Sequence, residues 1–200
     1  MKAAWTPWWS RLLIAVCALL LPLRCSLFEP REPEPPTQSS FDYRPPTVPS
    51  IVISNLQNAV AQKNSANYIS CFADPVKTKR AFAFVPSAEA SAQYPGLLAD
   101  WTVADELSYF QNLVAKSAPN GFSSLLLTPK SSVVTADSVI YSFDYTLTFE
   151  HTESGFPTIA RGTLQFSIGT DNNFWTIYRW SDFKTTTDIT WSLVKGKFSN

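Results

Sequence analysis

The chain has 200 residues with 16 basic and 16 acidic side chains, and charged residues make up only 16% of it. Soluble globular domains average roughly 25% charged residues, whereas the aromatic content of 14% is sufficient for a substantial core. Removing residues 1–24 would leave 13 basic and 16 acidic side chains. A weakly acidic domain without a basic run offers nucleic acid no electrostatic footprint, so we predict no nucleic acid partner.

The first 24 residues have the three parts of a secretory signal peptide. Lys2 and Arg11 precede an apolar run at residues 12–21, and about ten apolar residues are too few to cross a bilayer, which takes about 20. Followed by Cys25, this order resembles a bacterial lipoprotein signal, in which the cysteine becomes the lipidated first residue of the mature chain. The resemblance implies a protein anchored by acyl chains in the bacterial envelope. Because Ser26 rather than Asp follows, it implies the outer membrane, facing the periplasm.

The residues before Cys25 depart from the usual lipoprotein motif. Arg24 stands where the motif has Gly, Ala or Ser, and Pro22 stands where it has Leu. Two alternatives to lipidation therefore stay open: secretion after cleavage without a lipid, and an uncleaved N-terminal anchor.

Residues 25–49 are predicted to form a tether between the membrane and a folded domain at residues 50–200. Seven prolines fall in this stretch, at positions 30, 33, 35, 36, 45, 46 and 49. Such a density prevents regular helix and favours extended polyproline II structure. At ~3.1 Å per residue, about 25 residues could reach up to ~75 Å.

Helices are predicted in the first half of the folded domain. Apolar residues recur at helical spacing from Val52 to Val60 after a cap at Ser50, and Ser65 is expected to cap a short second helix. A third helix follows Thr102, with Asp105 completing an acidic capping box. Its predicted buried stripe consists of Val103, Leu107, Phe110 and Val114. Residues 81–85 are predicted to form a short strand, and residues 86–100 an irregular connection.

The second half alternates with period two and predicts strands. A first strand covers 123–128, with an extension to 135 left open and Pro129 at a bulge or edge. A second runs from Val139 to His151 with apolar residues at the odd positions. Two more follow at 160–168 and 174–183, joined by a tight turn at 171–173. A curved antiparallel sheet over the helices, an α+β fold, would bury these faces.

Two segments near the C-terminus carry a resemblance to a known fold family. Residues 174–182 read FWTIYRWSD, and residues 190–198 read TWSLVKGKF. Together with the helices around Asn55 and Tyr68, they resemble small bacterial lipoproteins with an NTF2-like domain, also called SnoaL-like or cystatin-like. The resemblance covers about residues 48–198. It implies a cone, in which N-terminal helices pack on a curved antiparallel sheet around a pocket.

Inward-facing side chains of the strands are candidates for lining this pocket, although each is a core candidate first. The possible pocket residues are Tyr141, Phe143, Tyr145, Phe166, Trp175 and Arg179. By alternation, Arg179 should share a face with Trp175 and Ile177, and Asp182 should lie on the other face with Trp180. Arg179 would then either fix the sheet through an aromatic or carboxylate partner or bind a ligand.

Little in the sequence indicates catalysis. His151 is the single histidine and lies at a strand end, where only Glu150 and Glu153 could assist it in acid–base chemistry. We expect His151 at the rim of the fold and Asp144 on the polar face of its strand. Cys71 is expected to be buried and chemically inert. The sequence has no Walker loop, G-x-S-x-G, HExxH or CxxC motif, so we predict no cofactor and no metal.

These observations predict a membrane-tethered envelope lipoprotein with a non-catalytic NTF2-like domain. The domain would bind a small molecule or an envelope protein. The alternative is a lipid-anchored isomerase- or hydrolase-like enzyme, with a buried acid or His151 in the cone pocket. Homodimerisation through the outer sheet face, which would carry Ile140, Thr146 and Thr148, is also compatible with the sequence.

Overall fold

The computed structural model describes residues 43–199, so the predicted signal peptide, Cys25 and the tether up to residue 42 lie outside the described residues. Within this range the helices are α1 (Pro49–Ala61), α2 (Ser65–Ile69), α3 (Ala88–Gln93), α4 (Val103–Ala115) and α5 (Trp191–Phe198). The strands are β1 (Ala83–Val85), β2 (Ser123–Val134), β3 (Ser138–Phe149), β4 (Ile159–Asp171) and β5 (Phe174–Phe183). None of the helices in residues 43–199 combines the length and apolarity needed to span a membrane.

The five strands form one open sheet in the order β1-β5-β4-β3-β2. Strands β2 to β5 pair antiparallel with their sequence neighbours, as the alternation predicts. Strand β1 differs, because it pairs parallel with β5 and sets Phe84 opposite Trp180. The predicted α+β fold is confirmed, with one parallel strand at the edge of the sheet.

Helices α1 and α2 begin close to the predicted residues, but the residues that precede and cap them differ from the prediction. Pro49 is the first residue of α1 and follows an extended Val48, so the predicted cap at Ser50 is wrong; proline suits this position because its missing N–H would have no partner there. Asn64, not Ser65, caps α2 by accepting from the Asn67 N–H. The capping box at the start of α4 is confirmed.

The connection at residues 86–100 contains a helix, α3, where the sequence predicts irregular structure. Ser87 caps it by accepting a hydrogen bond from the Ala90 N–H. The serine hydroxyl also bonds Thr190, directly before α5. Helix α3 is six residues long, and contacts with α5 supply the stability that so short a helix lacks alone.

Two bulges set which side chains reach the inner face, defined here as the sheet face that packs on the helices. The predicted bulge at Pro129 is confirmed by a shift of register against β3. A second lies in β5, where Arg179 pairs with Ser167 and Ile177 pairs with Ile168, leaving Tyr178 as an extra residue. The bulge reverses the alternation, so Trp180 and Asp182 join Ile177 on the inner face and Arg179 is exposed. The facing predicted for Arg179 is therefore wrong.

The last residues of the predicted tether are bonded to the domain. Asn55 in α1 accepts from the Arg44 N–H at 3.1 Å and donates to the Arg44 carbonyl at 2.7 Å. The carbonyl of Pro46 accepts a 2.8 Å bond from the Trp175 N–H of β5. These bonds hold the chain against the domain just before α1 begins.

Helix α5 closes the inner side of the fold. All of its residues except Lys197 are buried, and it contacts α3, α4 and β4. The Trp191 indole N–H donates to the Tyr109 hydroxyl at 2.8 Å. The space beneath α5, between the sheet and helix α4, is therefore filled by the chain itself.

Candidate binding site

A buried ion pair occupies the centre of the fold. Glu106 in α4 and Lys195 in α5 have side chains with no exposed area, and the ammonium of Lys195 donates to Oε2 of Glu106. Trp101 Nε1 donates to the same oxygen at 2.7 Å, and the Tyr68 hydroxyl donates to Oε1 at 2.6 Å. Both carboxylate oxygens are therefore occupied by neighbours within the protein.

Aromatic rings surround the ammonium of Lys195. Its Nζ lies 3.7 Å from the ring centroid of Trp180 and 4.1 Å from that of Phe84. The rings of Tyr109 and Trp101 are 5.4 Å and 5.6 Å away. Burial lowers the pKa of Lys195 to about 8, although the charge of Glu106 opposes the change.

A second buried carboxylate, Asp182, lies at the end of β5. The Tyr145 hydroxyl donates to Oδ1 at 2.9 Å, and the N–H and hydroxyl of Ser192 donate to Oδ2. The hydroxyl of Tyr145 accepts in turn from the Trp191 N–H at 2.7 Å. Burial raises the pKa of Asp182 despite these donors. The network joins the sheet to the start of α5.

The six candidate pocket residues do not meet in one cavity. Phe166 is completely buried, and Tyr145 is buried in the network around Asp182. Trp175 is half-buried beside the docked Pro46, and Arg179 is exposed. Only Tyr141 and Phe143 lie together on an open concavity, with ring centroids 5.7 Å apart.

That concavity, called the α1–β3 groove below, lies between α1 and the inner face of β2 and β3. Its volume is about 580 Å³. Ile53, Ser54 and Gln57 form the helix side, and Tyr141 and Phe143 form the floor on β3. Serines 50, 131 and 132 add hydroxyl groups at the rim. The lining is therefore aromatic and aliphatic with uncharged polar groups around it.

The charge of the groove is close to neutral. Of the described residues that line it, only Lys130 is charged, and its ammonium is 3.0 Å from Asp144 on the outer face. Gln57, on the helix side of the groove, donates to the Leu125 carbonyl of β2 at 3.1 Å. A ligand here would meet hydroxyl and amide groups and aromatic faces rather than a fixed charge.

Two other concavities differ in chemistry. One of about 320 Å³ lies between α2 and α4, with Phe72 and Leu107 in its walls and the Asp74–Lys77 pair, 3.4 Å apart, in its lining. The other, about 420 Å³, is a polar depression on the outer sheet face around Asp144 and Arg161.

The remaining sequence candidates lie apart from the groove. His151 is half-buried in a rim position, its Nε2 3.2 Å from the Pro157 carbonyl and its ring 5.1 Å from that of Phe198. Cys71 is buried as predicted, and burial raises the pKa of its thiol. Asp144 is on the polar outer face as predicted, where bonds from Thr163 and Lys130 lower its pKa. In residues 43–199, no three His, Cys, Asp or Glu side chains gather as a metal site.

Sequence reasoning missed Glu106 and Lys195. Helix α4 buries Glu106, Tyr109, Phe110 and Leu113, so its buried face is rotated from the predicted stripe. The signal available was the spacing, because Glu106, Phe110 and Leu113 recur at intervals of four and three. Lys195 likewise follows Trp191 by four residues within an apolar tail.

Comparisons with known proteins find similarity in structure alone. No protein-family model matches the chain, and no curated protein is similar to it. Among solved structures, an NTF2-like protein of unknown function from Shewanella oneidensis is similar at 8% identity, covering 66% of this chain and 93% of that one, with a TM-score of 0.46. An NTF2-like protein from Cytophaga hutchinsonii is similar at 10% identity over 67% of this chain and 93% of its own, also at 0.46.

A third solved structure is described as a candidate aromatic ring hydroxylase from Novosphingobium aromaticivorans. It has 13% identity, covers 68% of this chain and 86% of that one, and has a TM-score of 0.50. At these identities the similarity establishes the fold alone. The described domain is an α+β fold, with helices packed on one open five-stranded sheet, and NTF2-like proteins are among the solved structures similar to it.

Proposed function

We propose that the chain is a membrane-tethered envelope lipoprotein whose NTF2-like domain binds a ligand or partner without catalysing a reaction. The observation that supports a non-catalytic role is the filled interior. Glu106 is buried in a direct ion pair with Lys195 of α5, and the buried Asp182 accepts from Tyr145 and from Ser192 of α5. A substrate could reach these groups only if α5 moved away, whereas a general acid or base must lie within hydrogen-bond reach of its substrate.

We propose the α1–β3 groove as the binding site. Its volume falls within the range of about 300–1,000 Å³ usual for small-molecule sites. The rings of Tyr141 and Phe143 offer apolar faces. The Ser54 oxygen can accept a hydrogen bond while its hydroxyl donates to Ser50, and the Gln57 amide can bond a ligand beside its bond to Leu125. This combination favours an uncharged ligand with one apolar face and several hydrogen-bonding groups. Ser50 lines the groove and directly follows Pro49, the last residue of the predicted tether.

A blocking variant with a matched control tests the groove. Ser54→Trp would fill it, whereas Ser108→Trp adds the same side chain to an exposed position of α4. The probes are a chitin trisaccharide, a proline-rich decapeptide and, as a charged comparison, benzoate. We expect an uncharged probe to raise the unfolding temperature of the wild type and of Ser108→Trp but not of Ser54→Trp. Equal stabilisation of both variants would place the site elsewhere.

The anchor has a separate test, the intact mass of the protein purified from its native envelope. Lipidation predicts a chain that begins at Cys25 and carries added acyl mass, and a Cys25→Ala variant that lacks that mass. A full-length or unmodified wild-type chain would refute the anchor and leave the groove proposal unaffected. Turnover of 4-nitrophenyl esters that is lost in Asp182→Asn, with the fold retained, would favour the enzyme alternative.

A further inference from the structure

We propose that the interior of the fold is a binding site for a primary ammonium group, which the chain fills with its own Lys195. The site, called the ammonium cage below, consists of four aromatic rings and one carboxylate: Phe84, Trp101, Tyr109, Trp180 and Glu106. It is separate from the α1–β3 groove and does not depend on the function proposed for that groove.

The geometry of the cage is that of a site for a cation. Two ring centroids, those of Trp180 and Phe84, lie 3.7 Å and 4.1 Å from the Lys195 nitrogen, and two more lie within 5.6 Å. The negative face of an aromatic ring attracts a cation at distances up to about 6 Å, and more strongly where water is excluded. The carboxylate of Glu106 accepts one of the three ammonium protons.

The cage is constructed without any contribution from α5. Phe84 lies in β1, Trp180 in β5, and Trp101 and Tyr109 lie just before and within α4. The Glu106 carboxylate is fixed by Tyr68 and Trp101, which also lie outside α5. Loss of the Lys195 side chain would therefore leave the rings and the carboxylate in position.

The chemistry of the cage selects one class of ligand. A buried carboxylate without a cation is strongly unfavourable, so an alcohol or another neutral molecule of the same shape cannot replace the ammonium. The ring faces disfavour anions. The space left by Lys195 would have the shape of its unbranched side chain and end at the rings of Phe84 and Trp180, which favours a short unbranched alkylammonium ion.

Chemical rescue of a truncated lysine tests the cage. Lys195→Ala removes three methylene groups and the ammonium, which together correspond to n-propylammonium. For the full chain carrying this variant, we expect n-propylammonium at ten times its dissociation constant to raise the unfolding temperature by about 3–6 °C. The wild type and Lys197→Ala, which alters an exposed lysine of the same helix, should not respond.

The comparison with n-propanol separates a cation site from an apolar cavity. Equal stabilisation of Lys195→Ala by propanol would overturn the proposal, and so would a folded Lys195→Ala that does not respond to propylammonium. If Lys195→Ala does not fold alone, Lys195→Met retains the stem and removes only the charge. The proposal then requires Glu106→Gln to raise the unfolding temperature of Lys195→Met while lowering that of the wild type. A lower unfolding temperature in both backgrounds would refute it.

Discussion

The carboxylate of Glu106 and the ammonium of Lys195 form an ion pair in which neither side chain has any exposed area. The pair joins α4 to α5 across the interior, where the resemblance of the sequence predicts a pocket. Desolvating two charges is costly, and the bonds from Tyr68 and Trp101 to the carboxylate offset part of that cost. The fold thus depends on a contact that also closes its centre.

Removing one charge of this pair should be strongly destabilising. Glu106→Gln would leave the Lys195 ammonium buried without a counter-ion, for which we expect a loss of about 3–5 kcal/mol in the free energy of unfolding. Glu89→Gln is the control, because its 2.6 Å pair with Lys184 is exposed and should contribute about 1 kcal/mol or less. Urea unfolding of the full chain measures both. Similar losses in the two variants would contradict the role assigned to burial.

The stability of the wild type should depend on pH through Lys195. Burial lowers its pKa from the ordinary 10.5 to about 8 in the folded chain. Between these values the unfolded chain binds more protons, so the free energy of unfolding should rise with pH, by at most about 1.4 kcal/mol per pH unit. Below pH 8 both states are protonated and the contribution is constant.

Lys195→Met combined with Glu106→Gln isolates this contribution, because the double variant lacks both the titrating ammonium and the carboxylate that Lys195→Met alone would leave buried without a cation. Unfolding measured from pH 7 to pH 10 should show the wild type gaining stability relative to this double variant above pH 8. A constant difference between the two curves, or a wild type that loses stability relative to the variant, would mean that burial does not lower the pKa of Lys195.

Tyr145 should act as a structural residue rather than as a ligand contact. Its hydroxyl donates to Asp182 and accepts from the Trp191 N–H, both within the buried interior. Tyr145→Phe leaves both partners short of a bond, and we expect a loss of about 2 kcal/mol. Tyr178→Phe, at a half-buried position of the β5 bulge, should change stability by about 0.5 kcal/mol or less. Thermal unfolding compares them, and equal effects would refute the role of the network.

The strands are well predicted because the alternation of apolar and polar residues that identifies a strand lies within the strand itself. In β3 the odd residues from Val139 to Phe149 lie on the inner face, where Tyr141 is half-buried and the others are buried. The bulge at Tyr178 was not predictable in the same way. It depends on how β4 and β5 pair, and no residue near Tyr178 carries the signature that Pro129 gives to β2. One extra residue was enough to exchange the positions of Arg179 and Trp180.

The interior was harder to predict than the sheet because its polar residues satisfy one another. A rule that places charged residues at the surface excludes both Glu106 and Lys195 from the predicted core. Each is buried only because it pairs with the other. For the same reason, the candidate site could be predicted only in part. Tyr141 and Phe143 reach the groove, whereas Tyr145 is bonded to Trp191 of α5 and Phe166 packs on Trp180. Alternation within a single strand does not reveal such contacts with other elements.

Arg179 should be dispensable for stability because the bulge exposes it. We expect Arg179→Ala to change the free energy of unfolding by about 0.5 kcal/mol or less. Arg80→Ala should cost more, since the Arg80 guanidinium lies 4.8 Å from the Tyr178 ring centroid and 2.6 Å from Asp137. Urea unfolding of the two variants decides between them. A larger loss for Arg179→Ala would show that Arg179 faces inward after all.

Gly196 should be required for α5 to pack against Tyr94. A Cβ at this position would lie 2.3 Å from a carbon of the Tyr94 ring, a separation that forces the ring or the helix to move. Overpacking of this kind costs about 1–3 kcal/mol, and alanine recovers at most about 1 kcal/mol through its helix propensity. We therefore expect Gly196→Ala to lower the unfolding temperature and Lys197→Ala, at the neighbouring exposed position, to leave it nearly unchanged. In a Tyr94→Ala background, which removes the ring, Gly196→Ala should cost less than it does in the wild type. A Gly196→Ala variant as stable as the wild type would mean that α5 is not held closely against α3, and the enclosure of Glu106 and Lys195 would then need another cause.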